Sequence, residues 1–240
     1  MRLIPLLRKY YAPSLLVICG IVIGCVVLYL FSSVFIYTHF LFQGFEQNEK
    51  QSLTSLFIHK SVFLYPEARI RQLITERVPG IKDIEVQVTL PSTLSVFVQK
   101  KTTFAALGTD SGYLMLAQDG EVLQKVSTQP PKLPRITFFQ TLHFLDYQQG
   151  QKVGFSAIKK ALYFIDVVQK NGLTVDSVDI DSVDMIACKT RTVEIDFSQS
   201  RDQDSQTHEI VQVLQRLRVG DLKVSKVDLR FNKPVLELYK

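Results

Sequence analysis

The spacing of apolar residues changes once along the chain. Residues 14–35 form an unbroken apolar run without a charged side chain, whereas later apolar residues recur at helix or strand spacing between polar turns. As a helix, a run of 22 residues at about 1.5 Å per residue spans a bilayer core of about 30 Å. The pattern therefore predicts a transmembrane helix over Ser14 to Phe35, followed by a folded region.

Two other interpretations of this run are open. A cleaved secretory signal has a shorter apolar region, of about 7 to 15 residues, and an A-x-A-like cleavage site, and the sequence has neither. The residues Val22 to Cys25 resemble a bacterial lipobox, which would make Cys25 a lipidated first residue. The residues after Cys25 stay apolar, however, whereas mature lipoproteins usually turn polar at once. We therefore expect a spanning helix.

Residues 36–101 show the order strand, helix, helix, strand, strand. Apolar residues at i, i+3 and i+4 predict one helix around Leu53 to Phe57 and another around Ile70 to Ile74. Strict alternation then predicts strands at Ile84 to Leu90 and Leu94 to Val98. With a leading strand, the pattern predicts a β-α-α-β-β domain in which two helices cover one face of a three-stranded sheet.

Residues 102–240 are expected to form a larger mixed β domain with two helices. Asp119–Gly120 lies between two apolar runs and is a strong hairpin signal. Helical spacing predicts one helix over Phe155 to Lys170 and a second that ends near Gly220. Pro234 opens the last strand without a backbone donor, which indicates an edge strand. The predicted fold class is α+β, with one N-terminal transmembrane helix, a β-α-α-β-β domain and this mixed β domain.

The distribution of charge along the chain indicates the orientation of the protein across a membrane, and it does not indicate an anionic partner. The chain has 28 Lys and Arg against 23 Asp and Glu, a net charge of +5, and a mean hydropathy of +0.11. Three basic residues and no acid precede residue 46, so the remainder carries only +2. The positive-inside rule then places the N-terminus in the cytoplasm and the folded region outside it, held to the lipid bilayer through one helix. A nearly balanced region does not favour nucleic-acid binding.

Side chains with catalytic or metal-binding chemistry are scattered. The four His stand singly, and the common nucleophile, metal and nucleotide motifs are missing. Asp179 and Asp181 form a D-x-D sequence, but acids facing water between buried strand positions give the same pattern, and we favour that interpretation. Cys188 has no second Cys outside the predicted span, so we expect a buried thiol and no disulfide there. The sequence predicts no catalytic, metal or cofactor site and no small-molecule substrate.

Motifs spread over most of the chain resemble the FtsQ family of bacterial cell-division proteins, called DivIB in some bacteria. They are the helix end and strand from Val78 to Val88, the P-x-T-L turn up to Leu94, the Asp119–Gly120 hairpin, the Leu133–Pro134 step and the V-D-L-R strand from Lys226 to Phe231. The family usually has E-R-x-P-x-A after the first domain. Here the segment from Lys100 to Ala105 lacks the Glu and the Pro.

The resemblance implies a domain plan and a role. The plan is a cytoplasmic tail at residues 1–13, a transmembrane helix at 14–35, a POTRA domain at 36–101 and a β domain at 102–240. The implied role is that of a non-catalytic scaffold at the division septum of the bacterial inner membrane, with its C-terminal domains periplasmic or otherwise extracytoplasmic. Its expected partners are membrane proteins of the FtsB and FtsL type, which it links to septal peptidoglycan synthesis.

The resemblance implies Arg230 and Phe231 as partner-binding residues, and we expect Val235 and Glu237 on the last strand to bind the partner with them. A partner strand would add to an exposed sheet edge, with Phe231 as an apolar anchor and Arg230 as a charge-assisted contact. The alternative is that Phe231 belongs to the core and Arg230 is solvated.

Two further functional classes remain open. The first is a membrane-anchored POTRA-bearing assembly or translocation factor, which would normally carry a membrane β-barrel. The second is an anchored cell-wall enzyme, which should show a positioned nucleophile or acid pair.

Overall fold

A computed structural model describes residues 17, 20–26, 34–130, 132–182, 184–220 and 224–238. The described chain is a mixed α+β fold with two sheets. It divides between Lys100 and Lys101 into two compact units, and each has its own sheet and its own apolar core.

The predicted transmembrane helix over Ser14 to Phe35 is the part of the predicted fold class that needs correction. Of this run, residues 17, 20–26, 34 and 35 are described, and the others lie outside the described residues, as does the predicted tail at 1–13. No helix within the described part of the chain is both long and apolar enough to cross a membrane. For the described chain, this prediction is wrong.

The first unit has the order β-α-α-β-β. Its elements are β1 (His39–Gln43), α1 (Gln47–Phe57), α2 (Glu67–Arg77), β2 (Ile81–Thr89) and β3 (Thr93–Lys100). Strand β3 is central, since β1 pairs with it in parallel and β2 pairs with it antiparallel. The core joins apolar residues of the helices to those of the sheet, among them Leu53, Phe57, Ile70, Ile74, Leu94 and Val96.

Two local features connect β1 to α1. The backbone N–H of Glu46 donates to the Glu49 carboxylate at 2.8 Å, in a capping box that begins the helix. Gly44 turns the chain with a φ of +81°, and a side chain there would collide with the carbonyl of Val98. The glycine therefore lets the end of β1 lie close against β3.

The second unit is a nine-stranded sheet with two long helices. Its elements are β4 (Ala105–Gly108), β5 (Tyr113–Leu116), β6 (Val122–Val126), β7 (Arg135–Phe138), a 3-10 turn (Phe144–Asp146), α3 (Ser156–Lys170), β8 (Val175–Ile180), β9 (Met185–Thr190), β10 (Glu194–Ser198), α4 (Gln203–Gly220), β11 (Val224–Asp228) and β12 (Val235–Leu238). The strand order is β12-β11-β10-β9-β8-β7-β4-β5-β6. The short strands β4 and β7 were not predicted.

One row of buried side chains crosses the face of this sheet that carries the helices. It takes one residue from each paired strand between β4 and β11: Leu107, Ile136, Val178, Cys188, Ile195 and Val227. Helix α3 covers this face, and the ring of Phe164 stacks on that of Phe197 in β10 at 3.9 Å between centroids. The expected buried position of Cys188 is confirmed, and burial raises the pKa of its thiol. It is therefore a core residue without nucleophilic character.

Candidate functional site

Strand β12 ends the nine-stranded sheet on one side. It pairs only with β11, and no strand within the described residues pairs with its other side. All four of its residues are exposed. The edge position predicted from Pro234 is confirmed. An unpaired edge of this kind offers backbone donors and acceptors to another chain.

The backbone of β12 has a defined outward side. The hydroxyl of Ser225 in β11 donates to the carbonyl of Glu237 at 3.0 Å, so this carbonyl points toward β11. Backbone groups alternate along a strand, and those of Leu236 and Leu238 therefore point away from β11. These two residues provide the N–H and C=O groups with which a strand of a partner protein would pair.

The side chains of Leu236 and Leu238 continue the apolar face of the sheet past its cover. Leu236 lies opposite Val227 and Leu238 lies opposite Val224, and both valines belong to the core. The two leucines are nevertheless 41% and 59% exposed. They therefore form an apolar strip at the open edge, which a partner side chain could cover.

The other face of the same edge is charged. Val235 lies opposite Asp228, and Glu237 lies opposite Lys226. The ammonium of Lys226 is 2.8 Å from Asp196 Oδ2 and 2.9 Å from Glu194 Oε1. Burial raises the pKa of Asp196, and the hydrogen bond to Asp196 raises the pKa of Lys226.

Arg230 follows β11 and is held by its neighbour. Its Nε and Nη2 donate to Oδ1 and Oδ2 of Asp228 at 3.0 and 2.6 Å. This bond lowers the pKa of Asp228 and raises that of Arg230. The predicted contact residue is therefore a paired and oriented cation, and a partner would meet the Asp228–Arg230 pair as a unit.

Phe231 is an exposed aromatic residue at this corner. Its side chain is 57% exposed and lies 5.7 Å from the Arg230 guanidinium carbon. The alternative that places Phe231 in the core is therefore wrong. Exposure of a large aromatic beside an open strand is the arrangement expected of an interface anchor.

Arg201 fixes the turn between β11 and β12. Its Nη1 donates to the carbonyls of Leu229 and Phe231, the second at 2.6 Å, and its Nη2 donates to Glu209 in α4 at 2.7 Å. The turn that presents Phe231 is thus tied to the helix layer by charge-assisted bonds. No sequence motif singled out Arg201, because its partners are distant in sequence.

The structure brings the four predicted site residues to one corner of the sheet. Arg230 and Phe231 lie in the turn, and Val235 and Glu237 lie on the charged face of β12. The sequence prediction omitted Leu236, Leu238 and Arg201. Alternation along β12 could have indicated the two leucines, but their exposure depends on how far the helices cover the sheet.

Among the described residues, the D-x-D sequence and the possible metal ligands do not form a second site. Asp179 Oδ2 lies 2.7 Å from the ammonium of Lys189, which satisfies the first acid of the D-x-D sequence. Within the described ranges, no group of three His, Cys, Asp or Glu side chains is arranged to hold a metal ion.

No protein-family model matches the chain, and no curated protein is significantly similar to it.

Proposed function

We propose that the protein is a non-catalytic scaffold that binds partner proteins by strand addition at β12. The resemblance to the FtsQ family suggests the setting, which is the division septum at the bacterial inner membrane, with both folded units outside the cytoplasm. The proposed partners are division proteins of the FtsB and FtsL type. The scaffold would link them to septal peptidoglycan synthesis.

The observation that carries this proposal is the open edge of β12. The outward N–H and C=O groups of Leu236 and Leu238 supply main-chain hydrogen bonds, and their side chains supply an uncovered apolar strip. In β-augmentation the main chain gives affinity and alternate side chains give specificity. The exposed Phe231 and the Asp228–Arg230 pair extend the same surface around the corner.

The two faces of β12 also define the complementary partner strand. Its residues above the helix-bearing face should be apolar, to cover Leu236 and Leu238. Its residues on the other face meet Val235, Glu237 and the Asp228–Arg230 pair, so polar residues suit them. A strand that alternates apolar and polar residues fits this edge.

The test is binding of the full chain to the FtsB- and FtsL-type proteins encoded in the same genome. Leu238→Glu places a charge on the apolar strip, and we expect it to weaken binding about 30-fold, the effect of losing a hot spot of about 2 kcal/mol. The dissociation constant of the detergent-purified complex provides the measurement.

Leu145→Glu is the matched control. Leu145 is 85% exposed in the 3-10 turn, away from β12, and we expect its replacement to leave binding within a factor of about two. Thermal unfolding should show that both variants remain folded. The proposal fails if neither protein type binds the chain, or if Leu238→Glu binds as tightly as Leu145→Glu.

A further inference from the structure

A second exposed apolar surface lies on the first unit, where the chain enters it. Five side chains form this surface, which we call the entry patch: Val34, Ile58, Phe63, Leu64 and Leu90. Phe63, Leu64 and Leu90 are 69%, 66% and 61% exposed. An exposed cluster of large apolar residues on a small domain marks a surface that contacts something other than water.

Backbone hydrogen bonds bring the three segments of the patch together. Residues 35–37 bond to residues 59–62: Tyr37 N–H donates to the Lys60 carbonyl at 2.9 Å, and Val62 N–H donates to the Phe35 carbonyl at 3.0 Å. The Ser92 carbonyl accepts from the N–H of Thr38 at 3.0 Å, which brings the β2–β3 turn to the same end. The patch residues therefore lie on segments that are distant in sequence and that meet at one end of the unit.

The loop that carries Phe63 and Leu64 is held in place from beneath. Tyr37 is fully buried, and its hydroxyl donates to the carbonyl of Tyr65 at 2.9 Å. The Phe35 and Phe63 rings lie 5.2 Å apart. Arg69 in α2 donates to the carbonyl of Leu64 at 3.1 Å. The exposure of the two apolar side chains at the loop tip is thus imposed by the fold.

Two cations, Lys60 and Arg69, lie beside the patch. The segments 34–39, 58–65 and 90–92 contain Lys60 and no Asp or Glu. The nearby acid is Glu67, whose carboxylate accepts a hydrogen bond from the Val88 N–H at 3.2 Å. Lys60 and Arg69 both lie over the ring of Tyr65, at 5.9 and 4.6 Å from its centroid. Aromatic and aliphatic tips surrounded by cations are the composition that binds the interfacial layer of anionic membranes.

The patch directly follows an apolar segment of the sequence. Val34 and Phe35 end the uncharged apolar run of residues 14–35 and lead directly into the patch. The entry patch, which carries apolar side chains beside cations, therefore comes directly after this run.

The geometry points to the surface of an anionic lipid bilayer as the ligand of the entry patch. Phe63 and Leu64 insert among the headgroups and the upper acyl chains, while Lys60 and Arg69 stay at headgroup level. Interfacial side chains of this kind reach about 5–10 Å into that boundary. This inference does not depend on the partner proposed for β12.

The chain contains no tryptophan, which makes the test direct. A Phe63→Trp variant of the full chain carries a single indole in the patch. Its emission should shift to the blue with vesicles of phosphatidylethanolamine and phosphatidylglycerol. Lipids brominated near the headgroup end of the acyl chains should quench it. Phe231→Trp is the matched control, because Phe231 is exposed to a similar degree in the second unit. Its quenching should be several-fold weaker.

A second variant tests the charge. Adding Lys60→Glu to Phe63→Trp should reduce quenching several-fold in phosphatidylglycerol vesicles and much less in vesicles of phosphatidylcholine alone. The inference is overturned if the Phe63→Trp indole is unaffected by vesicles, or if it is quenched no more than the Phe231→Trp indole. Equal quenching of the two indoles is the result expected if the full chain binds vesicles through other residues. It is also the result expected if the entry patch binds a protein.

Discussion

The two edges of the nine-stranded sheet differ in whether another segment of the chain covers them. At β6, residues 143–153 run along the strand as a covering segment. Val122 N–H donates to the Gln151 carbonyl at 2.9 Å, and Gly150 N–H donates to the Val122 carbonyl at 2.8 Å. The ammonium of Lys125 bonds to the Tyr147 carbonyl at 2.8 Å. At β12, no described segment takes this place.

The difference shows that the protein covers one edge of the sheet and leaves the other uncovered. An uncovered strand is an aggregation hazard, and natural sheets protect their edges with loops, charges or prolines. The chain uses a loop to close β6 and leaves apolar Leu236 and Leu238 uncovered at β12. A surface with this cost in solubility is consistent with a strand that is paired in its working state.

Breaking the cover of the closed edge should have the largest effect. Val153 is fully buried, and its N–H donates to the Gly120 carbonyl at 3.0 Å, which fixes the end of the covering segment. Val153→Asp buries a carboxylate among apolar residues, and we expect it to lower the free energy of unfolding by about 3 kcal/mol or more. Urea unfolding measures this loss. Hydrogen exchange at Val122 should also become faster.

The control for this variant is Leu145→Asp, which lies on the exposed side of the same segment. It should change the free energy of unfolding by no more than about 0.5 kcal/mol. Equal effects of the two substitutions would show that the covering segment is not anchored by Val153.

Closing the open edge should have an intermediate effect. Leu236→Pro removes an outward N–H, which an edge strand tolerates without loss of its own pairing. We expect the fold to remain and binding to the FtsB-type partner to weaken about 10-fold, as the loss of one intermolecular hydrogen bond at about 1.4 kcal/mol predicts. Binding and unfolding measurements on the same preparation separate the two quantities.

Glu237→Pro is the matched change on the inward side. It removes an N–H that faces β11, so it should detach β12 and speed hydrogen exchange in β11. If both prolines leave β11 protected, the assignment of inward and outward backbone groups is incorrect.

The smallest effect concerns pH at the base of the covering segment. His143 Nδ1 lies 3.0 Å from Asp110 Oδ2, and Phe144 N–H donates to Asp110 Oδ1 at 3.0 Å. The backbone bond from Phe144 lowers the pKa of Asp110 from 3.8 to about 2, and the bond to Asp110 raises the pKa of His143 above 6.5. The contribution of Asp110 to stability is lost as the pH falls from 3.8 toward 2. The contribution of His143 is complete below 6.5 and is lost as the pH rises through its folded-state pKa.

The pair should therefore stabilise the covering segment most between pH 3.8 and 6.5. An NMR titration of His143 measures its pKa directly, and Asp110→Asn should lower it. A pKa unchanged by Asp110→Asn would show that the two side chains do not interact in solution. Titration of His143 should leave β12 unaffected, because neither residue of this pair lies there.

The elements that the sequence predicted are those with a clear period. Helices α1 to α4 and the alternating strands β2 and β3 repeat their apolar residues often enough to be recognised. Strands β4 and β7 have four residues each, and neither belongs to a hairpin that a recognised turn signal marked. Their parallel pairing with each other, and that of β7 with β8, depends on tertiary packing that no local pattern reports.

The site was partly predictable for a similar reason. Pro234 indicated an edge, and the V-D-L-R resemblance indicated Arg230 and Phe231. The exposure of Leu236 and the bonds of Arg201 to the turn depend on where distant segments meet. The entry patch was missed because Ile58, Phe63 and Leu64 look like core residues in sequence, and only the fold turns them outward.

The parallel pairing of β1 with β3 has a consequence for how the first unit forms. Thr93 to Phe97 lie beside His39 to Gln43, so the first strand acquires its neighbour only after both helices and β2 have been synthesised. Such non-local contacts slow folding, because the intervening chain loses entropy before the strands pair. During translation, β1 and α1 should therefore stay unassembled until β3 leaves the ribosome, and the unit should then fold in one cooperative step.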